Sequence, residues 1–352
     1  MNESMQKKLP RVVYRCLERT GRVLDEAGAR GEHVLIAVSG GSDSMALLEI
    51  LALVARERSL TLHVACIDHA MRAEAAAEQE LVRQAALRCD ASFDLEKIDP
   101  GRGDEDTMRR QRRQALGRLA EQRGCRLVFL GHNRDDQIET IVFRFLRGAG
   151  LGGLAGMKAV RLPFVRPLLG ISRSELRELL AARDVEWAED ASNESLRYAR
   201  GRLRCTVLPA IEASFGKGAL DHLLDVAPLW RADEEFLERE AARLLAYASR
   251  RGEAGVELDL ETMSGADQAL VRRALRSWLK DRTGRATTSR HLLAIEKWLA
   301  TGPAAGGLDL PLARLSCRAG RICADASRQP ENVSRPADPE AVQPCEESSR
   351  RR

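Results

Sequence analysis

Long apolar runs are absent from this 352-residue chain. No run approaches the roughly 18 apolar residues that a membrane span needs. No apolar stretch follows the lysines near the start, as one would in a secretory signal. These absences predict a cytoplasmic protein without a membrane partner. At about 150 residues per domain, the length predicts two domains.

The eight cysteines lack the spacing of a metal or cluster site. Neither C-x-x-C nor His-x-x-x-His occurs, so we expect no structural zinc and reduced, mostly buried thiols. A net charge of only +4 does not single out nucleic acid as a partner. Arginines nevertheless cluster at Arg109, Arg110, Arg112 and Arg113, and again at Arg197, Arg200, Arg202 and Arg204. For any one of them, a solvated helix face is the simpler explanation.

Apolar segments alternate with amphipathic helical patterns in the N-terminal half. The predicted strands are 33–38, 60–67, 91–98 and 126–130, and the predicted helices are 43–56, 73–89, 105–122 and 134–146. This alternation predicts an α/β fold, a Rossmann-like parallel sheet covered on both faces. Ligands of such sheets bind outside the carboxyl ends of the strands.

The C-terminal part is more mixed. We expect a flexible glycine-rich stretch at 148–156, a helix from Ser172 or Ser174 to about Arg183, and a long helix from about 233 to 251. Residues 256–324 combine helical and strand patterns, which predicts a smaller mixed α+β domain. Few apolar residues follow, so the tail is predicted to be disordered. The predicted domains are 1–218 and 219–326, with a tail at 327–352.

The first predicted strand runs into Ser-Gly-Gly-Ser-Asp-Ser, which predicts a phosphate-binding loop. Backbone amides and hydroxyl groups would bind the anion, with help from the positive end of the next helix. The donors would be Ser39, Gly40, Gly41, Ser42 and Ser44. Asp43 would repel phosphate unless a cation lies between them, so we interpret it as a Mg²⁺ ligand. Neither a Walker A sequence nor G-x-G-x-x-G occurs at this loop. An ordinary strand-turn-helix corner stays open as an alternative.

A second polar group begins the helix predicted at 134–146. Asp136, Glu139 and Thr140 are spaced to share one face. Acids in a first turn also complement the helix dipole, which accounts for one carboxylate. That explanation does not cover the whole set, which consists of His132, Asp135, Asp136, Glu139 and Thr140 at the ligand edge of the sheet.

Together these motifs resemble the tRNA(Ile)-lysidine synthetases, a family of N-type ATP pyrophosphatases. The resemblance lies in Ser39 to Ser44, Asp68-His69-Ala70-Met71-Arg72, Glu105, Arg109, Arg112 and Leu116, residues 132–140, Arg166-Pro167-Leu168-Leu169, Trp187-Ala188-Glu189-Asp190, Ser192-Asn193, the arginines of 200–204, and Pro209. Two positions depart from the family pattern. Arg113 replaces the usual Tyr and Gly201 the usual Asn.

The resemblance implies that lysine is joined to C2 of cytidine 34 in the CAU anticodon of tRNA(Ile), after ATP and Mg²⁺ activate the C2 oxygen. The implied catalytic residues are Asp136, Glu139 and Arg112, with Asp43 and Asp136 as metal ligands. The implied ATP contacts are the Ser39 to Ser44 loop, His69, Arg72 and His132. The implied tRNA contacts are Arg109, Arg200, Arg202 and Arg204. Glu139 would bind the lysine or take its proton. The resemblance also allows a homodimer.

Three other functions were considered. A tRNA 2-thiolation enzyme on the same scaffold would need a nucleophilic cysteine or an iron-sulfur cluster, but Cys66 and Cys125 lie in apolar positions and no pair is spaced for a cluster. A small-molecule amidotransferase would need a glutaminase domain. A non-catalytic tRNA-binding protein would be expected to lose the loop serines or the carboxylates, and these are present.

Overall fold

The computed structural model describes residues 10–68, 75–98, 105–189, 199–216, 218–252, 255–301 and 307–325. The chain divides into two compact units, residues 1–231 and 232–352. We had predicted the first domain boundary at 218. The predicted tail at 327–352 lies outside the described residues.

The first unit contains a six-stranded sheet. Its elements are α1 (Arg11–Glu26), β1 (His33–Ala37), α2 (Ser42–Arg58), β2 (Thr61–Asp68), α3 (Ala75–Arg88), β3 (Ser92–Lys97), α4 (Glu105–Gln122), β4 (Leu127–Leu130), α5 (Arg134–Leu146), α6 (Leu151–Leu154), β5 (Val160–Arg161), β6 (Phe164–Val165), α7 (Arg173–Ala182), α8 (Ala199–Arg202), a π-helix (Leu203–Val207), α9 (Leu208–Phe215) and a 3₁₀ helix (Ala219–Asp221). The strand order is β3-β2-β1-β4-β6-β5. All pairings are parallel except that of β5 with β6, so the predicted parallel α/β fold is confirmed.

Apolar side chains cover both faces of this sheet. Val34 and Ile36 of β1 belong to the core cluster that includes α1, α2 and α7, whereas Leu35 and Ala37 belong to the cluster formed with α4. Alternate residues of a strand point to opposite faces, so a strand buried on both sides is a continuous apolar run. The predicted strands therefore stand out in the sequence.

The glycine-rich stretch differs from the expectation of flexibility. It contains the short helix α6, and the carbonyl oxygens of Gly153 and Gly156 accept hydrogen bonds from Arg144 Nη1 at 3.1 and 3.0 Å. Gln137 bonds to both the N–H and the carbonyl of Met157, at 2.7 and 3.0 Å. Side chains from α5 thus supply partners that the local sequence does not reveal.

Gly117 offers a test of the α4 packing. It lies within α4, and a Cβ placed there would meet nothing within 4 Å. We expect Gly117→Ala to raise the free energy of unfolding by about 1 kcal/mol, because alanine loses less backbone entropy in a helix. Gly156→Ala should lower it, since its φ is +69° and the new Cβ would lie 2.6 Å from Gln137 Nε2. Denaturant unfolding of both variants measures the difference, and equal effects would contradict this packing.

The second unit contains a five-stranded antiparallel sheet with helices. The elements from residue 222 onward are α10 (His222–Ala248), β7 (Ser249–Gly252), β8 (Gly255–Asp259), α11 (Leu260–Ser264), α12 (Gln268–Thr283), α13 (Ser289–Ala300), β9 (Gly307–Leu310), β10 (Ala313–Arg318) and β11 (Arg321–Asp325). The strand order is β7-β8-β11-β10-β9. Trp278 and Leu279 of α12 are buried against this sheet.

The long helix predicted at 233–251 has wrong ends. It begins at His222 and includes Pro228, although proline normally interrupts a helix. It ends at Ala248 because residues Ser249–Gly252 pair with β8 as a strand. The strand β11 was also not predicted. It pairs with β10, which is adjacent in sequence, and with β8, which is distant in sequence.

The thiols are less buried than expected. Among the described cysteines, all of which are free, only Cys16, Cys66 and Cys125 are buried. Cys205 is exposed. No helix in the described ranges has both the length and the apolar character of a membrane span.

Candidate functional site

The predicted phosphate loop connects β1 to the first turn of α2. Gly40 has φ of +86°, a conformation that favours glycine. Ser44 Oγ donates to Gly41 O at 2.9 Å and accepts from the Ser39 N–H at 3.1 Å. These bonds close the loop around the helix start, where unpaired N–H groups and the helix dipole favour an anion.

Two other chain segments fix the position of this loop. The Ala188 N–H donates to Gly40 O at 2.9 Å. Gly131, just after β4, approaches α2 so closely that a Cβ there would lie 3.2 Å from Asp43 C, Asp43 O and Ser44 Cα. The close approach of two backbones therefore favours glycine at position 131, because a larger residue would push the start of α2. Neither Gly131 nor Ala188 is among the predicted site residues.

The carboxylates of Asp43 and Asp136 lie on either side of one guanidinium group. Arg173 Nε is 3.4 Å from Asp43 Oδ2, and Arg173 Nη2 is 3.3 Å from Asp136 Oδ1. Asp43 Oδ1 is buried, and none of the described residues forms a hydrogen bond with it. Residues 93 positions apart in the chain thus form one acidic pair at the carboxyl edge of the sheet, as their positions after β1 and β4 require.

Asp136 has a structural and an electrostatic role at the start of α5. Its Oδ2 accepts from the Asn133 N–H at 3.0 Å, and Asn133 Oδ1 accepts from the Asp136 N–H at 3.0 Å, which forms a capping box. Burial raises the pKa of the Asp136 carboxyl to about 6, and the negative charges of Glu139 and Asp43 act in the same direction. An added cation would relieve this unfavourable charge.

Glu139 lies one turn further along α5 and is 5% exposed. It accepts two hydrogen bonds from Arg204, at 2.6 Å to Nε and 2.8 Å to Nη2. Arg204 Nη2 is also 3.7 Å from Asp136 Oδ1. The π-helix Leu203–Val207 carries Arg204, and such bulges are frequent at functional sites.

The basic group predicted to bind tRNA is therefore divided by the structure. Arg204 points to the acidic residues of α5 rather than to solvent. The Arg200 guanidinium lies over the Phe143 ring at 5.3 Å, and Arg202 is exposed. Arg197 lies outside the described residues. The sequence signal common to these arginines did not distinguish the side chain that pairs with Glu139 from the others.

His132 lies at the end of β4 beside a group of guanidinium groups. Burial, followed by the positive charge of Arg166 and then of the α4 arginines, lowers the pKa of His132 to about 3. Its imidazole is therefore neutral at physiological pH. The α4 arginines that act on His132 are Arg109, Arg112 and Arg113. Desolvation lowers the pKa of Arg112, and burial lowers that of Arg166 to about 10.

Mg²⁺ binding at this site would rest on the carboxylates of Asp43 and Asp136. No cluster of three or more His, Cys, Asp or Glu side chains arranged for a metal occurs in the described part of the chain. Two carboxylates suffice, because Mg²⁺ in nucleotide sites commonly takes one or two from the protein and the rest from phosphates and water. Asp43 Oδ1, which accepts no hydrogen bond from the described residues, and the adjacent Asp136 therefore fit this ion.

The predicted site residues that follow two of the strands are thus close together: the loop follows β1, and His132 and Asp136 follow β4. Arg166, which follows β6 and acts on the charge of His132, was not among the predicted site residues. His69 and Arg72, the other predicted ATP contacts, lie outside the described residues. Arg173 was missed, and its only signal was a position next to the Ser172 cap.

The Arg204–Glu139 pair gives a stability prediction. We expect Arg204→Ala to lower the free energy of unfolding by about 2–3 kcal/mol, because a buried carboxylate loses its partner. Arg202→Ala, two residues away and exposed, is the control and should change it by about 0.5 kcal/mol or less. Urea unfolding measures both. A similar small effect for the two variants would mean that water replaces Arg204 without cost.

The chain was compared with known families and proteins. Residues 9–211 match the PP-loop domain family, and residues 258–323 match the TilS substrate binding domain. A tRNA(Ile)-lysidine synthase of Solibacter usitatus is 37% identical over 251 residues, which cover 70% of this chain and 56% of the relative. The relative of Symbiobacterium thermophilum is 36% identical, with coverage of 86% and 66%. The relative of Nocardia farcinica is 35% identical, with coverage of 80% and 87%.

This chain therefore spans just over half of the first relative and about two thirds of the second. Among solved structures, the U34-tRNA thiolase NcsA from Methanococcus maripaludis aligns with a TM-score of 0.54 at 14% identity. The alignment covers 62% of this chain and 79% of that chain. At this identity it shows a common fold only. The family matches and the identity to the Nocardia farcinica relative show that this chain belongs to the tRNA(Ile)-lysidine synthase family of PP-loop proteins.

Proposed function

We propose that this chain joins L-lysine to C2 of cytidine 34 in the CAU anticodon of tRNA(Ile), with ATP converted to AMP and pyrophosphate. One observation carries the proposal: the phosphate loop and the acidic start of α5 meet at Asp43 and Asp136. A nucleotide site beside buried acids suits adenylation followed by attack of an amine. The family relationship supports ATP as the co-substrate.

The first step activates a poor leaving group. The C2 oxygen of cytidine attacks the α-phosphorus of ATP, and the bond to the β-phosphate oxygen breaks. Amides and hydroxyls of the Ser39 to Ser44 loop would bind the departing pyrophosphate, and Arg112 would stabilise the activated nucleotide. Asp43 and Asp136 would hold Mg²⁺, which offsets phosphate charge when bound.

The second step needs a neutral amine. The ε-amine of lysine attacks C2, AMP leaves with its oxygen, and the amine loses a proton. Glu139 already binds a cationic group, the Arg204 guanidinium, which supports an ammonium or proton-accepting role for this carboxylate. The neutral His132 at the end of β4 can contact the nucleotide without adding charge.

Thiolation is less well supported by the thiols. Burial raises the pKa values of Cys66 and Cys125 to about 11 each, so both stay protonated at neutral pH. The loop serines and the carboxylates are in place, which gives no reason to prefer a non-catalytic tRNA-binding protein.

The test is ATP- and Mg²⁺-dependent incorporation of labelled lysine into purified tRNA(Ile) with a CAU anticodon. A transcript with U34 is the matched RNA control. We expect incorporation only with C34, accompanied by equal amounts of AMP and pyrophosphate. If AMP and pyrophosphate form without lysine incorporation, adenylation stands and lysine is the wrong nucleophile. The absence of ATP cleavage would favour a binding protein.

The tRNA interaction gives a separate prediction. Arg202→Glu should weaken tRNA binding and reduce the slope of log affinity against log salt by about 1, because one phosphate contact is lost. ATP binding should persist. Arg88→Glu, at the end of α3 and so at the opposite edge of the sheet, is the control. Filter binding at several salt concentrations measures the effect, and equal slopes for both variants would exclude Arg202 from the interface.

The proposed activity also implies a role for each domain, a location in the cell and an oligomeric state. Residues 1–218 would form the adenylation domain, and 219–326 a helical connector with a tRNA-binding domain. The protein would act in the cytoplasm, where its substrate tRNA is found, and would form a homodimer.

A further inference from the structure

Arg173 contacts three acidic residues at the carboxyl edge of the sheet. Its guanidinium lies between Asp43 and Asp136, at 3.4 and 3.3 Å. Its backbone N–H donates to Asp135 Oδ2 at 2.9 Å. The first residue of α7 thus touches the first turns of α2 and α5, next to the phosphate loop.

The side-chain contacts of Arg173 are loose compared with the other ion pair of this site. Arg204 meets Glu139 through two bonds of 2.6 and 2.8 Å, whereas one Arg173 guanidinium is shared between two acids at more than 3.2 Å. Charge-assisted N–H···O bonds are usually 2.7–2.9 Å. Within the described part of the chain, Asp43 Oδ1 has no hydrogen-bond partner. Arg173 therefore compensates the acidic pair only in part, as an exchangeable cation would.

Other side chains cap α7 and bury it in the core. Ser172 and Glu175 form a capping box at its N-terminus. Leu176, Leu179 and Leu180 are buried in the core. The Arg173 side chain, which is 26% exposed, lies outside that packing. The position of this side chain is therefore better explained by its contacts with Asp43 and Asp136 than by the packing of α7.

We propose that Arg173 is a pyrophosphate-binding residue that, before nucleotide binds, occupies the cation position between Asp43 and Asp136. This inference rests on the proposed adenylation function. Arg173 and a divalent cation would compete for the negative charge of the same two carboxylates. Once displaced, the guanidinium is adjacent to the loop and pairs with oxygens of the β- and γ-phosphates.

The chemical contribution of Arg173 is electrostatic. As the bond between the α-phosphorus and the bridging oxygen breaks, its electron pair goes to the leaving pyrophosphate. The guanidinium stabilises that added charge by hydrogen bonds, and it neither transfers a proton nor forms a covalent bond. A planar fork suits two phosphate oxygens better than a lysine ammonium does.

Two affinities of the full chain test the inference. Calorimetry measures Mn²⁺ binding without nucleotide, and a competition assay measures pyrophosphate binding with Mg²⁺ present. Arg173→Ala should bind Mn²⁺ more tightly, because the competing guanidinium is gone. It should bind pyrophosphate about 10–100-fold more weakly, through loss of a charge-assisted contact. Arg173→Lys should lie between Arg173→Ala and the unchanged protein in both assays.

The control is Arg177→Ala, one turn further along α7, where the side chain is exposed and pairs with Glu189. It should change neither affinity. If Arg173→Ala leaves either affinity unchanged, the inference is overturned. If Arg173→Ala is too unstable to measure, the Arg173→Lys result decides.

The failure of this inference differs from failure of the proposed function. Lysine incorporation by the unchanged protein, together with unaltered pyrophosphate affinity in Arg173→Ala, would remove Arg173 from the site and leave the function standing. Both expected affinity changes without lysine incorporation would keep Arg173 in a pyrophosphate site and exclude lysidine formation.

Discussion

Asp136→Asn is expected to lower lysine incorporation into tRNA(Ile) by about 10³-fold, the scale of losing a major electrostatic contact to the reacting phosphate. Asp136 supplies one of the two carboxylates that fit Mg²⁺, and asparagine removes its charge while keeping its shape. The asparagine oxygen can still accept from the Asn133 N–H, so the capping box and the fold should persist. Pyrophosphate release should fall in parallel with incorporation.

Asp135→Asn is the matched control for this experiment. Asp135 is adjacent in sequence, but its contact is with the backbone N–H of Arg173 rather than with the acidic pair. We expect it to retain activity within about tenfold, the lower end of effects on supporting contacts. Equal losses in both variants would indicate a general disturbance of the α5 start. Full activity in Asp136→Asn would place the cation elsewhere.

Gly131→Val should have the second-largest effect, at a position without any functional group. A Cβ at residue 131 would lie 3.2 Å from three backbone atoms of Asp43 and Ser44, and the two methyl groups of valine would press further. Backbone atoms cannot rotate away, so the loop must shift. We expect the KM for ATP to rise at least about tenfold and the free energy of unfolding to fall by about 1–3 kcal/mol.

Gly170→Val is the control, because it shows how much the KM for ATP changes when a glycine outside the loop contact is replaced. A Cβ at Gly170 would meet nothing within 4 Å. The KM for ATP should therefore stay close to its original value, and Gly131→Ala should fall between the two valine variants. Steady-state kinetics and thermal unfolding measure the series. An unchanged KM in Gly131→Val would show that the loop tolerates displacement.

Much of the first unit could be predicted because its signals are local. The helices α4 and α5 have the predicted bounds, and Ser172 caps α7 through Glu175 as its spacing indicates. The buried strands of this parallel sheet are short apolar runs, a pattern that is typical of strands covered on both faces. The strands β5 and β6 were not predicted, because each has only two residues and so shows no alternation of apolar and polar side chains.

In the predicted site, too, local signals could be recognised in the sequence and long-range contacts could not. The loop from Ser39 to Ser44 could be identified because glycine pairs and hydroxyl residues after a strand have a specific chemistry. The orientation of Arg204 could not be predicted, because the local sequence is the same whether the arginine side chain points to solvent or pairs with Glu139. Its partner lies 65 residues away and is brought near by packing of the π-helix on α5.

The sequence by itself determined the α/β architecture, the phosphate loop and the edge of the sheet where the acids lie, since periodicity and strand direction decide these locally. Only the tertiary structure decided which charges pair: Arg173 with Asp43 and Asp136, and Arg204 with Glu139. It also decided that Gly131 must approach α2. Such contacts join residues 37 to 130 positions apart, and the energy of each depends on burial and distance, which no local pattern encodes.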